Sequence, residues 1–282
     1  METKTTAPVT PKAAEASPSP IKSFLSGIII VLIIIIAVLL YNFVLGSPSN
    51  FEGGDTSHHP VAEGAAHWLG TVYKGGPIVP ILMSFFLMVI TFSIERFIMI
   101  SAATGSGSVA NFVRSIKQKL ATGNVNAAIA ECDRQKGSVG NVLKAVLNKY
   151  NDVFNEDGMT KDQKVLALQK ELEDSTSLEL PMLEKNLTII ATLASVATLT
   201  GLLGTVIGMI KAFAALAQAG APDAAALSNG ISEALINTAL GIGTSAFAII
   251  FYNYFTSKID ELTYSIDEAG FSIQQSFSAR VK

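Results

Sequence analysis

Four long apolar stretches constrain this chain more than any other feature of its sequence. They run from Phe24 to Leu45, from about Ile78 to Ile100, from about Leu187 to Leu216, and from about Ile231 to Phe255. Because a helix of roughly 20 mostly apolar residues can cross the hydrocarbon core of a bilayer, each stretch is long enough to span a membrane. The sequence therefore predicts an integral membrane protein with four transmembrane helices.

The composition supports this class and argues against several others. Of the 282 residues, 49% are apolar and only 15% are charged, whereas a soluble domain carries about a quarter charged residues. The formal net charge of -3 gives no reason to expect nucleic acid. The single cysteine, Cys132, excludes an internal disulfide and is expected to be a small core residue. No zinc pattern, P-loop, dinucleotide fingerprint or catalytic cluster is recognisable, so we expect no cofactor, no metal and no enzyme.

The lysines and arginines alternate between the segments that flank the spans. Residues 1–23 carry three, residues 46–77 one, residues 101–186 eleven, residues 217–230 none, and the tail after the fourth span three. Since positive charge favours the cytoplasmic side, both termini and residues 101–186 are predicted to be cytoplasmic.

The segments around the first span have simple expectations. Its apolar run of about 22 residues exceeds the roughly 7–15 of a signal peptide, which favours an uncleaved anchor over residues 24–45. Residues 1–23 are predicted to be a disordered tail, because they are rich in Ala, Pro, Thr and Ser. Residues 46–77 contain His58, His59 and His67 without metal-ligand spacing, so a solvated external loop is expected.

Residues 101–186 repeat apolar residues at intervals of three and four, which predicts helices. Pro181 is expected to kink the helix that leads into the third span, or to mark a short break. No strand signal competes with these helices. The predicted fold is therefore all-α, with long helices that extend from the membrane into a cytoplasmic helical domain without chemistry of its own.

The third span differs from a plain anchor, because small and hydroxyl-bearing residues form a stripe along one face. The stripe comprises Ala191, Ala194, Thr198, Gly201, Thr205, Gly208 and Ala212. Small residues allow membrane helices to approach closely, and the predicted packing positions are Gly201, Gly204, Gly208 and Gly241. We expect this stripe to hold an obligate oligomer together through the third and fourth spans.

The fourth span carries a carboxylate, Glu233, followed by Asn237 and Thr238. A charge in or near hydrocarbon costs several kcal/mol unless it is solvated, paired or protonated. A first-turn position that favours the helix dipole is the alternative explanation for Glu233. Thr205 and Thr238 are predicted to lie at a similar depth, roughly 8–9 Å below Lys211 and Glu233. Lys211 is expected to point away from the stripe and extend to the interface. A ring of subunits is then needed to enclose a path lined by Thr205, Glu233, Asn237 and Thr238.

Two strings in these spans, "GLLGTVIGMIKAF" and "GISEALINTALGIGTSAFAIIFYNYF", resemble the MotA/TolQ/ExbB proton-channel family, and the ExbB branch most closely. "SIERF" at the end of the second span resembles the first membrane helix of the family. The expected family domain covers residues 78–258, with transmembrane segments 78–100, 187–216 and 231–255, and a cytoplasmic tail 259–282 follows it. The extra first span and Asn237 depart from the ExbB pattern.

The resemblance implies an ExbB-type subunit of a bacterial inner-membrane motor that uses the proton gradient to energise TonB-dependent transport. It implies a pentameric ring in the lipid membrane around an ExbD-like partner that carries the central aspartate, and a TonB-like protein. Thr205, Glu233 and Thr238 match the polar positions around that aspartate. A TolQ-type or gliding-motility motor subunit, or a passive scaffold for a partner, remains open.

The charge pattern generates a topological prediction. Single cysteines placed in residues 46–77 and in residues 101–186 should label from opposite sides of the membrane, because the two loops differ in lysine and arginine content. Labelling with a membrane-impermeant maleimide measures this, and labelling of both segments from one side would show that the topology is wrong.

Overall fold

The computed structural model describes residues 20–217 and 223–281, and both ranges are helical. The helices are α1 Pro20–Leu39, α2 Gly64–Tyr73, α3 Val79–Thr104, α4 Val109–Ala121, α5 Val125–Gln135, α6 Gly137–Phe154, α7 Lys161–Glu184, α8 Leu187–Leu216 and α9 Ala224–Arg280. A π-helical turn, Leu40–Leu45, continues α1. The described ranges contain no strand beyond one isolated bridge, which confirms the all-α prediction for them. The disorder predicted for residues 1–23 falls largely on residues 1–19, outside the described ranges.

Four of these helices, α1, α3, α8 and α9, are long and apolar enough to cross a membrane, as predicted. The first is the most apolar and the least buried, with a mean hydropathy of 3.3 over its window. Its side chains are exposed on most sides, and Val31 and Leu32 are examples at 56% and 54%. A helix that is apolar all round and has few protein neighbours is suited to face lipid.

Helix α9 continues far beyond the predicted fourth span. It runs without interruption for 57 residues, a length of roughly 85 Å. The expected separate tail, residues 259–282, is therefore largely the second half of this helix. Its apolar side chains Ile259, Leu262, Ile266, Ile273 and Phe277 are buried against α4, α6 and α7. These contacts explain why the helix does not end at the membrane boundary.

The helical domain formed by α4–α7 and the second half of α9 has one apolar core. Its helices begin at polar caps: the Ser108 and Asn124 side chains accept from backbone N–H groups, and Thr160 forms a capping box with Gln163. Amphipathic helices with satisfied ends bury one face each. The helices predicted for residues 101–186 are thus present, and they pack as one unit on α9.

The junction between α7 and α8 is held by a buried arginine on α3. The Arg96 side chain is 1% exposed and donates to the carbonyl oxygens of Met182 and Leu183, both at 3.1 Å. It also pairs with Glu95, which accepts a further hydrogen bond from Asn186. These bonds satisfy the last carbonyl groups of α7, which have no partner inside the helix. The chain therefore breaks at residues 185–186, and Pro181 lies inside α7.

Residues 46–77 are folded, and the expectation of a simple solvated loop is wrong. They contain α2 and short 3-10 turns around a small core, in which Tyr41 and Tyr73 stack with ring centroids 4.7 Å apart. Asn50 is buried and donates to the carbonyl oxygens at the end of α1. Lys74 donates to the Thr56 carbonyl oxygen at 2.8 Å. The segment, here called the outer module after its predicted side of the membrane, therefore packs on the π-helical turn that continues α1 and leads directly into α3.

Helices α8 and α9 approach so closely that their backbones touch. A Cβ atom on Gly201 would lie 2.9 Å from the carbonyl oxygen of Asn237, and one on Gly241 would lie 2.7 Å from that of Ala197. Added Cβ atoms on Gly204 and Gly208 would meet Asn237 and Gly230 at 2.5 and 2.8 Å. Such distances leave no room for a side chain, so glycine is required along this seam.

The seam uses the small-residue stripe within a single chain. The stripe was predicted to hold an oligomer together, but Gly201, Gly208 and Ala212 contact α9 of the same protomer. Packing within one protomer therefore accounts for the stripe, which gives no evidence for contacts between subunits. The opposite faces of α8 and α9 carry exposed apolar side chains, which are free to contact lipid or neighbouring helices; they include Leu199, Val206, Ile210, Leu235 and Ile242.

Two glycines on α9 offer a matched test of the seam. Gly241→Ala should lower the free energy of unfolding by about 1–3 kcal/mol, because the new methyl group meets the Ala197 carbonyl oxygen. Gly243→Ala should be neutral or stabilise the protein by up to about 1 kcal/mol, because no heavy atom lies within 4 Å of its added Cβ. Thermal unfolding in detergent measures both. Equal melting temperatures for the two variants would contradict the close approach of α8 and α9.

Candidate functional site

Two threonine hydroxyls meet across the seam between α8 and α9. Thr205 Oγ1 and Thr238 Oγ1 are hydrogen-bonded to each other, and both lie near the Gly201 carbonyl oxygen, at 3.3 and 3.5 Å. Both side chains are half-buried. A hydroxyl is both a donor and an acceptor, so either member of a bonded pair can donate while the other accepts. The prediction that these residues lie at the same depth is consistent with this contact.

Glu233 lies five residues before Thr238, towards the start of α9. Its side chain is 13% exposed, and its Oε1 accepts from Lys211 Nζ at 2.6 Å. The same oxygen faces Gly76, where an added Cβ would lie 2.5 Å away. Gly76 has φ +76°, a conformation that favours glycine. The carboxylate is thus enclosed by a lysine of α8 and by the backbone that precedes α3.

The ion pair changes the interpretation of Lys211. This side chain was predicted to point away from the stripe and extend to the membrane interface, yet its ammonium group binds Glu233. The Lys211 side chain remains 49% exposed, so its charge is shared between the carboxylate and the surroundings. A partly buried carboxylate gains most from such a partner, because it has lost most of its water.

Asn237 occupies a different environment from the open, hydrated face that the sequence analysis expects. Its side chain is fully buried, and its Nδ2 donates to the Gly75 carbonyl oxygen at 2.9 Å. Gly204 on α8 leaves the space that this side chain fills. Its Oδ1 is buried without a hydrogen-bond partner. In this protomer Asn237 therefore links α9 to the outer module and lies between helices.

The other candidate polar side chains, those of the histidines and Cys132, form no metal site in the described part of the chain. No group of three or more His, Cys, Asp or Glu side chains there could hold a metal ion. His58 and His67 each bond a backbone carbonyl oxygen of the outer module, Glu52 O and Val61 O. Cys132 is buried as predicted, and burial raises the pKa of its thiol to about 12, which keeps it protonated at neutral pH.

Thr205, Thr238 and Glu233 were candidates from the sequence alone, whereas the surroundings of the Glu233 carboxylate could not be predicted from it. Lys211 lies on α8, and Gly75 and Gly76 precede α3, so only the tertiary fold brings Lys211 and Gly76 to Glu233 and Gly75 to Asn237. The Gly75–Gly76 pair beside a proline is a turn signal that could have been singled out. Nothing in the sequence shows which helix that turn contacts.

Comparison with known proteins identifies the same region. Residues 135–268 match the model of the MotA/TolQ/ExbB proton channel family, a range that includes α8, the site residues of α9 and the helices before them. The match covers both strings that resemble the family and ends within α9.

Individual relatives share parts of this region. An ExbB-like biopolymer transport protein of Synechocystis is 38% identical over 88 residues, which is 30% of this chain and 42% of that protein. The Tol-Pal system protein TolQ of Pseudomonas aeruginosa is 30% identical over 136 residues, 46% of this chain and 59% of the relative. The biopolymer transport protein ExbB of Helicobacter pylori is 39% identical over 94 residues, 33% and 64% of the two chains.

The matched part of the chain thus spans between two fifths and two thirds of the length of these relatives. The family match, the four apolar helices and the two characteristic strings agree with one another. Residues 135–268 of this multi-pass membrane protein are therefore similar in sequence to the MotA/TolQ/ExbB proton channel family.

Proposed function

We propose that this chain is an ExbB-type subunit of a proton-channel motor in the bacterial inner membrane. The observation that carries the proposal is the hydroxyl contact between Thr205 and Thr238, with the Glu233 carboxylate five residues away on the same helix pair. Polar and acidic groups inside apolar helices are costly and mark ion paths more often than packing. The family match supports the same conclusion.

The proposed proton path uses groups that exchange hydrogen bonds across a low-dielectric region. Glu233 accepts a proton at the end of α9 nearer the α8–α9 connection, and the threonine pair presents hydroxyls further along the two helices. Because both threonines are half-buried, one side of the pair remains accessible to another helix. That accessible side is where a partner with a proton-carrying group would lie.

A second set of chains is needed to complete this path. Two helices in contact along a glycine seam enclose no channel, so the polar edge needs further helices to shield it from lipid. We infer a homo-oligomeric ring, pentameric by resemblance to ExbB, around an ExbD-like partner, with a TonB-like protein as the driven component. In this arrangement both termini and the α4–α7 domain lie in the cytoplasm.

A TolQ-type motor subunit is the second candidate. The match to TolQ of Pseudomonas aeruginosa covers more of this chain than the two ExbB-type matches described above. The two functions share the proposed proton path and differ in the protein that is driven. Purification of the intact complex with its native partners, followed by mass measurement, distinguishes them and gives the number of subunits. A gliding-motility partner would identify the third motor type, and a passive scaffold would tolerate loss of the polar residues.

The hydroxyl pair yields the central functional prediction. Replacing both Thr205 and Thr238 by Val keeps the side-chain shape and removes the hydroxyls, so proton flux should fall by at least about tenfold per lost hydrogen bond of roughly 1.4 kcal/mol. The purified complex in proteoliposomes with an internal pH dye measures the flux. Glu233→Gln should also lower it, because the amide cannot accept and release a proton.

Two controls separate a hydroxyl role from packing. Replacing the same two threonines by Ser retains the hydroxyls and should preserve most of the flux. Thr192→Val removes a hydroxyl of α8 that donates only to the Thr188 carbonyl oxygen of its own helix, and should have little effect. If the double valine variant assembles like wild type and has normal proton flux, Thr205 and Thr238 contribute only to packing.

A further inference from the structure

We propose that Lys211 makes the Glu233 site selective for protons over sodium ions. This inference rests on the proposed proton path and adds the residue that determines which cation can use it. Lys211 Nζ lies 2.6 Å from Glu233 Oε1, and so occupies the position that a metal cation would take on that oxygen. The ammonium group acts as a tethered cation that is already bound.

The same oxygen has a second close neighbour besides Lys211. Gly76 lies against Oε1, so close that an added Cβ would be 2.5 Å away. The phenol of Tyr41, in the π-helical turn that continues α1, lies near Glu233, and its hydroxyl donates to the Tyr73 carbonyl oxygen. Lys74 is held by carbonyl oxygens of the outer module and does not pair with Glu233. Lys211 is therefore the cation at this carboxylate.

A proton and a metal ion place different demands on this site. A carboxylate has two oxygens, so a proton can bind the oxygen that Lys211 does not hold. A hard metal cation binds several oxygen ligands at once and competes with the ammonium group for them. With Lys211 in place, a sodium ion must displace a bound positive charge, whereas a proton need not.

Removing Lys211 would leave oxygen atoms that can act as ligands of a metal ion. Glu233 would then offer a carboxylate without a counter-ion, and Asn237 lies one helical turn further along α9. The Asn237 Oδ1 is buried and has no hydrogen-bond partner, which is unusual for a buried acceptor. Residues four apart lie on one face of a helix, so a sodium ion bound at Glu233 would have a second oxygen-bearing side chain on the next turn of α9.

The test compares proton flux in two salts. Proteoliposomes that contain the full chain in complex with its native partners are assayed in sodium chloride and in N-methyl-D-glucamine chloride at equal ionic strength and membrane potential. The flux of wild type in sodium chloride should equal its flux in N-methyl-D-glucamine chloride, and the same should hold for Lys211→Arg. Lys211→Met should give severalfold lower flux in sodium than in N-methyl-D-glucamine, because sodium occupies Glu233. Equal flux of Lys211→Met in both salts would overturn the proposal, as would a sodium-sensitive wild type.

Lys258→Met serves as the matched control. Lys258 pairs with Glu261 at 2.8 Å, and its side chain is 47% exposed, close to the 49% of Lys211. Its loss removes a lysine of similar exposure whose partner Glu261 is itself 67% exposed, against 13% for Glu233, and should leave the sodium response unchanged. A sodium response in this variant equal to that of Lys211→Met would show that the effect is not specific to Glu233.

A second measurement is independent of proton transport. A water-soluble carbodiimide joins a lysine and a carboxylate in contact through an amide bond with loss of water to the reagent, and peptide mass spectrometry detects the joined residues. The wild-type complex should yield the Lys211–Glu233 cross-link to the same extent in both salts, with Lys258–Glu261 as the internal standard. Absence of the Lys211–Glu233 product, or its suppression by sodium, would overturn the proposal. A wild type that cross-links but carries no proton flux would instead refute the proposed function.

Discussion

The contact between the backbones of α8 and α9 is the constraint on which the rest of the structure depends. Four glycines, Gly201, Gly204, Gly208 and Gly241, allow the two helices to touch along most of their apolar length. In a membrane, close packing of small residues replaces the hydrophobic effect as the main source of helix association. The seam also fixes the relative register of the two helices. That register brings Thr205 to Thr238 and Lys211 to Glu233.

The polar groups along this seam are compensated in different ways. Thr205 and Thr238 bond each other and lie near the Gly201 carbonyl oxygen, which is within the seam itself. Glu233 depends on a lysine and on the turn at Gly76, which belongs to the outer module. Asn237 depends on the Gly75 carbonyl oxygen of the same turn. The outer module therefore supports two polar residues in the apolar first half of α9, and the first span packs against that module.

Much of the fold follows from patterns that are local in sequence. Apolar length predicts the four spans, and the intervals of three and four predict the helices of residues 101–186. The outer module was not predictable in the same way, because its core joins Tyr41 to Tyr73 and Asn50 to the end of α1 over distances that no period reveals. The continuation of α9 to Arg280 also depends on distant contacts, since its buried residues face helices that come much earlier in the chain.

The sequence by itself determined which residues are costly in a membrane: a carboxylate, an amide and two hydroxyls at helical spacing among apolar residues. It could do so because the cost of placing a polar group in hydrocarbon is a property of the residue and of its immediate neighbours. Only the tertiary structure decided how each cost is met. Lys211 lies 22 residues from Glu233, and Gly75 lies 162 residues from Asn237. From the sequence alone, the small-residue stripe fits contacts within one chain as well as contacts between chains. The distances at Gly201 and Gly208 place it inside one protomer. A hydrogen bond or an ion pair requires atoms within about 3 Å, and the packing of helices, not the order of residues, sets that distance.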